Sequence, residues 1–289
     1  MTTHRLHTQH QRTFEGNRFV YPVLSRRSKG LSIGVNLNPD KICNFDCIYC
    51  QVDRRTESEV RFVESERYFS ELEEMLDLCA SGEIFRTAKF AETPANLQRV
   101  NDIAFSGDGE PTTYKNFDDL IERSAEIKRQ HGLDQVKMVL ITNATMFHRP
   151  HVQRGLEILD ANQGEIWAKL DAGTEAYYRT IERTKIPFQR VLDNLLLAAQ
   201  TRPIVIQSMF LKLLGQSPSA AEISAYCDRL SELVDRGGKI KLVQVYTVAR
   251  KPAESIVGPL DDTEVDAIAQ QVRAQTGLTA EVYYGSSDY

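Results

Sequence analysis

From Leu31 onward, short runs rich in β-branched and aromatic residues alternate with longer stretches whose apolar positions recur at helical spacing. This alternation constrains the chain more than any other feature, because parallel strands need a crossover and a helix is the usual one. Seven runs read as strands: 31–38, 102–106, 136–142, 165–170, 203–211, 240–247 and 281–284. The class is therefore α/β with a mostly parallel sheet, formed by one domain over 22–289 behind an N-terminal extension of 1–21. No repeat of fixed period and no low-complexity tract interrupts it.

The intervening stretches carry helix punctuation. Ser219 and Glu222 have the spacing of a capping box, ahead of a helix that ends at Gly237 and Gly238. Pro150 suits a first helical position, while Gly132 and Gly277 suit C-terminal caps. Between Phe188 and Ala199 one face gathers Val191, Leu192, Leu195 and Leu196. The segment 83–99 has no clean period, contains Thr93-Pro94, and reads as an insertion before the second strand.

Composition excludes several classes. At 42% hydrophobic, 26% charged and ten prolines in 289 residues, the chain is globular rather than disordered or fibrous. No run approaches the roughly 18 apolar residues of a membrane span. The start of the chain, with His4, His7 and His10 among polar residues, has no apolar signal-peptide stretch and reads as a disordered terminus rather than a metal site. These features place the protein in the cytoplasm with no membrane partner. The net charge of −5 is uneven, since residues 1–61 hold ten Lys and Arg against six Asp and Glu. That asymmetry suits an anionic partner such as RNA, and equally an anionic cofactor.

Five cysteines, three of them within eight residues, argue against a disulfide framework and for metal binding. Cys79 falls in helical register with Leu72, Met75 and Leu76, and Cys227 with Ile223, Leu230 and Val234, so both read as core. The remaining three lie in Cys43-Asn44-Phe45-Asp46-Cys47-Ile48-Tyr49-Cys50. Positions i, i+4 and i+7 could form one helix face, but Pro39 upstream and Asn44 and Asp46 between the thiols favour a loop. Structural zinc uses four protein ligands, and no fourth Cys or His is near. An electron-transfer cluster would close its fourth iron with a fourth cysteine. Three thiolates on a [4Fe–4S] cluster leave one iron open.

In a βα barrel the active site gathers at the C-terminal ends of the strands. There the chain places the three cysteines, then Gly107-Asp108-Gly109-Glu110-Pro111, Thr142-Asn143, Asp171-Ala172-Gly173, Lys212, and Arg250-Lys251. The spacing of Cys43, Cys47 and Cys50, with aromatic Tyr49 before the last, resembles the signature of the radical S-adenosylmethionine (SAM) superfamily. The resemblance implies a partial (β/α)6-type TIM barrel, with the open iron holding the amino and carboxylate groups of SAM. It also implies an enzyme that cleaves SAM to a 5′-deoxyadenosyl radical, with a flavodoxin or ferredoxin as reductant. The Gly107, Gly109, Glu110 and Pro111 turn is similar to the family's Gly-Gly-Glu-Pro segment, which receives the SAM amino group, with Asp108 as a departure.

By the same resemblance Asn143 and Asp171 match residues that hydrogen-bond the ribose and carboxylate, although either could be a cap or turn residue. Position alone suggests Gln207 and Val245 for the ribose and adenine. Ser25-Arg26-Arg27, Ile33-Gly34-Val35-Asn36, Lys41-Ile42, Gln51-Val52 and Phe105-Ser106 resemble the iron–sulfur oxidoreductases related to the tRNA wybutosine-synthesising enzyme. This implies an oxidoreductase or transferase acting on a nucleobase in RNA. No cysteine precedes Cys43, so the second cluster of that enzyme has no ligands here.

Overall fold

The structure is a computed structural model that describes residues 14–252 and 254–285. The three N-terminal histidines lie outside the described residues. The chain divides into two compact units, one of Met1–Ile42, Thr56–Ile141 and Arg149–Glu165, the other of Cys43–Arg55, Thr142–His148 and Ile166–Tyr289.

In the first unit the strands run in the order β1 (Val20–Ser25), β2 (Gly30–Asn36), β3 (Val100–Ser106) and β4 (Lys137–Thr142). β2 is buried at every position, the burial expected of a parallel strand covered on both faces. It is parallel to β3, with Ser32 opposite Asp102 and Asn36 opposite Ser106, and β3 is parallel to β4. β1 was not anticipated, because it is antiparallel to β2 and lies outside the βα repeat. Its Pro22 suits an edge strand, which has one unpaired side. The carboxylate of Glu71, on α1 (Ser65–Ala80), accepts the backbone N–H groups of Arg18, Phe19 and Val20 at 2.9, 2.7 and 3.1 Å and so fixes the entry to β1.

α2 (Phe117–Gln130) and α3 (Pro150–Asp160) pack together, and Pro150 occupies the first turn of α3. Between α1 and β3, the 83–99 connection forms two short 3-10 turns, Glu83–Arg86 and Ala95–Leu97, anchored by fully buried Ile84 and Phe90.

In the second unit β5 (Gly164–Lys169), β6 (Ile204–Met209), β8 (Ile240–Tyr246) and β10 (Ala280–Tyr283) run parallel in that order, and β7 (Leu211–Leu213) pairs antiparallel with β9 (Val257–Pro259). The 203–211 run thus stops at Phe210, whose N–H donates to the Tyr246 carbonyl at 2.8 Å. The helices are α4 (Glu175–Glu182), α5 (Phe188–Thr201), α6 (Ala220–Asp235) and α7 (Asp262–Thr276). α5 buries Val191, Leu192, Leu195 and Leu196, as its spacing implies. On α7, Asp261 and Glu264 form a reciprocal capping box, and Gly277 closes the helix at φ 71°.

The pair Ser219 and Glu222 forms only half of the expected box. The Ser219 hydroxyl accepts the Glu222 N–H at 3.1 Å. The Glu222 carboxylate, however, turns to the N–H of Gly173 at 2.5 Å and the Thr174 hydroxyl at 2.6 Å, because these groups of the buried turn after β5 need an acceptor. Val234, expected beside Cys227, is 37% exposed near the helix end. Among the described residues no helix is long and apolar enough to cross a membrane.

Lys128 is 1% exposed, and its ammonium donates to the carbonyls of Asp134, Val136 and Asn162 at 3.2, 2.8 and 2.9 Å. These bonds tie α2 to the strand that follows and to the end of α3. Replacing Lys128 by Met leaves three carbonyls without their donor and is expected to lower unfolding stability by about 2 kcal/mol in urea denaturation. A change below about 0.5 kcal/mol would show that the ammonium is not a structural tie.

Candidate active site

The three cysteines lie in a loop without regular structure, and each is half-buried with no disulfide. The loop is nonetheless fixed. Asp46 and Ile48 donate their N–H groups to the carbonyls of Glu182 and Ile181 at 3.0 and 2.9 Å, the last residues of α4. The Thr184 hydroxyl holds the Asn44 carbonyl at 2.9 Å, and Cys50 N–H closes a turn on the Cys47 carbonyl at 2.9 Å. Phe45 buries its ring edge-on against Tyr178, which stacks on Phe188.

Asn143, at the end of β4, belongs to this arrangement. Its Oδ1 accepts the Thr145 N–H and hydroxyl at 3.2 and 2.7 Å, a turn role, while its Nδ2 donates to Asn44 Oδ1 at 2.7 Å. Asn44 in turn donates to the Thr145 hydroxyl at 2.7 Å. The residue read from position alone therefore touches the cysteine loop through Asn44, a partner the sequence reading missed.

Donors approach two of the sulfurs. Phe45 N–H points at Cys43 Sγ and an Arg54 guanidinium N–H at Cys50 Sγ, both at 3.5 Å. Such contacts stabilise sulfur-borne negative charge in a thiolate-ligated cluster. Cys47 Sγ lies 2.6 Å from Glu182 Oε2. Burial, and then Glu182, push the Cys47 thiol well above its usual range, and burial beside Asp171 raises Glu182 to about 8. Among the described residues no three His, Cys, Asp or Glu side chains converge as ligands of a single ion would. A four-iron cluster does not ask for that convergence, since each thiolate binds its own iron. A donor set of three half-buried cysteines on one pinned loop, with N–H groups aimed at two of the sulfurs, fits such a cluster.

Tyr49 is 5% exposed, and its hydroxyl donates to Asp171 Oδ2 at 2.5 Å. Lys169, on β5, donates to the Tyr49 oxygen at 2.6 Å, lies 3.2 Å from Asp171 Oδ2 and sits 4.4 Å from the Tyr49 ring centre. Burial opposes the Lys169 charge, but Asp171 and the acidic groups around it hold its ammonium above the usual range. Glu182 completes the cluster of side chains at 3.1 Å from the Tyr49 oxygen. Asp171 also accepts the Met209 N–H at 2.7 Å. Sequence reasoning found Tyr49 and Asp171 but missed Lys169 and Glu182. The pattern Lys169-x-Asp171 at a strand end was the available signal for the first; Glu182, at the end of a helix, gave none.

Gln207 is 1% exposed and donates to Gln244 Oε1 at 2.7 Å, while Val245 is fully buried. Gly173 follows Asp171 closely against α6, where an added Cβ would meet the Tyr226 nitrogen at 2.1 Å.

In the first unit, the turn after β3 is shaped by two glycines. Gly107 has φ +146°, and an added Cβ would lie 2.3 Å from Asn36 Oδ1. At Gly109 it would lie 2.1 Å from the carbonyl oxygen of Ile42, the residue bonded to Cys43. Asp108, the departure from the family pattern, is clasped by Asn36, which donates to its carboxylate at 2.7 Å and accepts its N–H at 3.0 Å. Glu110 is 2% exposed and caps the short Pro111–Thr113 turn, accepting the Thr112 N–H at 3.1 Å and hydroxyl at 2.5 Å. Beside Gly109, Asn38 Oδ1 is buried without a hydrogen bond among the described residues. The two glycines let the 36–42 segment pack directly on this turn, and the unsatisfied acceptor beside it suits a small ligand carrying N–H donors.

Comparisons with known proteins agree with this geometry. The family model described as Radical SAM superfamily matches residues 37–222. A radical SAM methyltransferase from Sphaerobacter thermophilus has the same fold, with a TM-score of 0.62 over 94% of this chain and 71% of that one, at 13% identity. The α/β fold is thus the partial barrel expected of a radical SAM core. A structure of TYW1 with a lysine-pyruvate adduct bound covers 86% of the chain and is itself covered to 74%, at 16% identity and a TM-score of 0.47, too low to bear on the reaction.

Among curated proteins, a GTPase Obg of Brachyspira hyodysenteriae is 24% identical over 90% of this chain, and a UPF0026 protein of Methanocaldococcus jannaschii is 30% identical over 61%. The chain spans 34% and 46% of those relatives' lengths.

Cys79 and Cys227 are buried, and burial raises their thiols to about 12 and about 11. A raised thiol stays protonated and unreactive until pH approaches that value. Iodoacetamide at pH 8 is therefore expected to alkylate Cys43 and Cys50 of the metal-free protein first and Cys47 slowly, sparing the other two until the protein is denatured. Alkylation of Cys79 or Cys227 at the rate of Cys50 would contradict the packing.

Proposed function

We propose, for a chain that belongs to the radical SAM superfamily, that Cys43, Cys47 and Cys50 hold a [4Fe–4S] cluster whose fourth iron takes SAM. With one electron from an external reductant of the flavodoxin or ferredoxin class, that pair supplies a 5′-deoxyadenosyl radical. The observation that carries the reading is the pinned loop: three half-buried cysteines, with the backbone anchored to α4 and N–H donors on two sulfurs.

The protein's own residues have separable tasks in this account. Thr184 holds the loop backbone at Asn44, Asn143 holds the Asn44 side chain, and Phe45 seals the base of the loop edge-on against Tyr178. Lys169, Asp171 and Glu182 fix the position of the Tyr49 hydroxyl and so anchor the far end of the aromatic side chain before Cys50. The glycine-cradled turn of Gly107, Gly109, Glu110 and Pro111 is assigned to the SAM amino group, and Asp171 and Asn143 to the ribose and carboxylate side. Gln207 and Val245 belong to the ribose and adenine side of the same assignment. A nucleobase in RNA is the proposed substrate, supported by the basic balance of residues 1–61, and the cytoplasm the proposed location.

Anaerobic reconstitution with iron and sulfide, reduction with dithionite and addition of SAM are expected to yield 5′-deoxyadenosine. An intact cluster that gives no product would assign the chain to electron transfer or redox sensing instead. Zinc without iron or labile sulfide in protein purified without oxygen would exclude the cluster. Cys47→Ala is expected to lose bound iron while unfolding stays cooperative, because the core is apolar.

Glu110→Gln keeps an acceptor for the turn but removes the charge. It should weaken SAM binding about tenfold at unchanged iron content, the scale of one charge-assisted hydrogen bond. Unchanged SAM affinity would remove Glu110 from the site.

A further inference from the structure

The first unit carries a cleft that shares Asn38 with the turn assigned to SAM and is otherwise unused by the cluster and SAM assignments. It has a volume of about 360 Å³, near the lower end of small-ligand sites. Its floor is the segment that leads from β2 toward Cys43, including Asn38 and Asp40; one wall carries Arg61 and Phe62, the other Tyr114 and Lys115. The second wall begins three residues after Glu110.

Three properties distinguish this cleft from an ordinary surface groove. Phe62 is 70% exposed and is the single phenylalanine among the described residues left in that state. Val63 beside it is buried, so the ring is presented by an anchored backbone. Arg61 and Lys115 are both exposed and make no ion pair or hydrogen bond among the described residues, so the cleft carries two unpaired cations with the ring against the single carboxylate of Asp40. The walls are also tied to the floor. The Ser58 hydroxyl donates to the Pro39 carbonyl, Lys41 Nζ donates to the Thr56 carbonyl at 3.0 Å, and Asn38 Nδ2 donates to the Thr113 hydroxyl at 3.3 Å. Thr113 is bonded in turn to the Glu110 carbonyl at 2.7 Å.

We propose that this cleft binds one nucleotide of a single-stranded RNA, with its base stacked on Phe62 and its phosphates held by Arg61 and Lys115. Exposed aromatic rings flanked by uncommitted cations are the means by which proteins hold single strands, because every base offers a π face and every linkage a negative charge. Asp40 is the one acidic side chain on the cleft, and its carboxylate is occupied by the Ile42 N–H at 3.1 Å. A nucleotide seated here would neighbour the segments that lead into Cys43 and out of Glu110. The inference rests on the RNA substrate proposed above and names where one of its nucleotides is held.

The test uses the anaerobically reconstituted full chain, without SAM or reductant, and a fluorescein-labelled ten-residue oligouridylate read by fluorescence anisotropy. Saturable binding that weakens with salt is expected. Phe62→Ala should weaken it about tenfold, the effect of one lost stacking partner. Arg61→Ala with Lys115→Ala should lower the slope of log affinity against log salt by about 1.4, the value for two single-strand phosphate contacts.

Because Phe62 is exposed, its variant should unfold at the wild-type temperature, which separates lost binding from lost folding. No binding by the wild-type protein, or wild-type affinity in Phe62→Ala, overturns the proposal. The first result would leave the exposed ring to a protein partner. Formation of 5′-deoxyadenosine, measured on the same preparation without RNA, reports separately on the enzyme reading, so either can fail while the other stands.

Discussion

The backbone N–H groups of Asp46 and Ile48 donate to the final carbonyls of α4, and those two bonds fix the middle of the cysteine loop on either side of Cys47. The last carbonyls of a helix have no partner within it. α4 leaves them available by ending abruptly, with Arg183 in the left-handed region at φ 45°. One unmet need of a short helix thereby answers another in a loop without secondary structure. Asn44, Asn143, Thr145 and Thr184 add side-chain hydrogen bonds to the same loop.

The side chains around Tyr49 carry the same logic into the interior. Two carboxylates and one ammonium in so small a buried volume would be costly without mutual pairing, because burial penalises each charge. The phenol lets them coexist: it donates to Asp171, accepts from Lys169, and lies within reach of Glu182. Glu182 also contacts Cys47, so the same group that helps hold the aromatic ring faces a proposed cluster ligand. Packing, charge and the proposed chemistry meet at this residue.

The βα order was legible in the sequence because each parallel strand is short, apolar and bounded by caps: all seven runs are strands, and α3, α5 and α7 carry the expected Pro150, apolar face and Gly277. β1 was not legible, since an antiparallel edge strand containing Pro22 breaks the period that revealed the others. β7 and β9, three residues each, are too short to carry a period. The core reading of Cys79 and Cys227 held because helical register reports burial directly. The Glu222 and Glu182 contacts escaped because their partners are distant in sequence, and a carboxylate's choice between its own helix end and a remote turn depends on which donors the fold buries beside it.

The central claim is that the three-thiolate loop holds a cluster with one iron open to SAM. Electron–nuclear double resonance of the dithionite-reduced protein, frozen with SAM labelled by ¹⁵N at the amino group and ¹⁷O at the carboxylate, tests it most directly. The account predicts hyperfine coupling from both labels, and loss of that coupling together with the iron in Cys47→Ala. A reduced cluster with full iron content and no coupling to either label would contradict it.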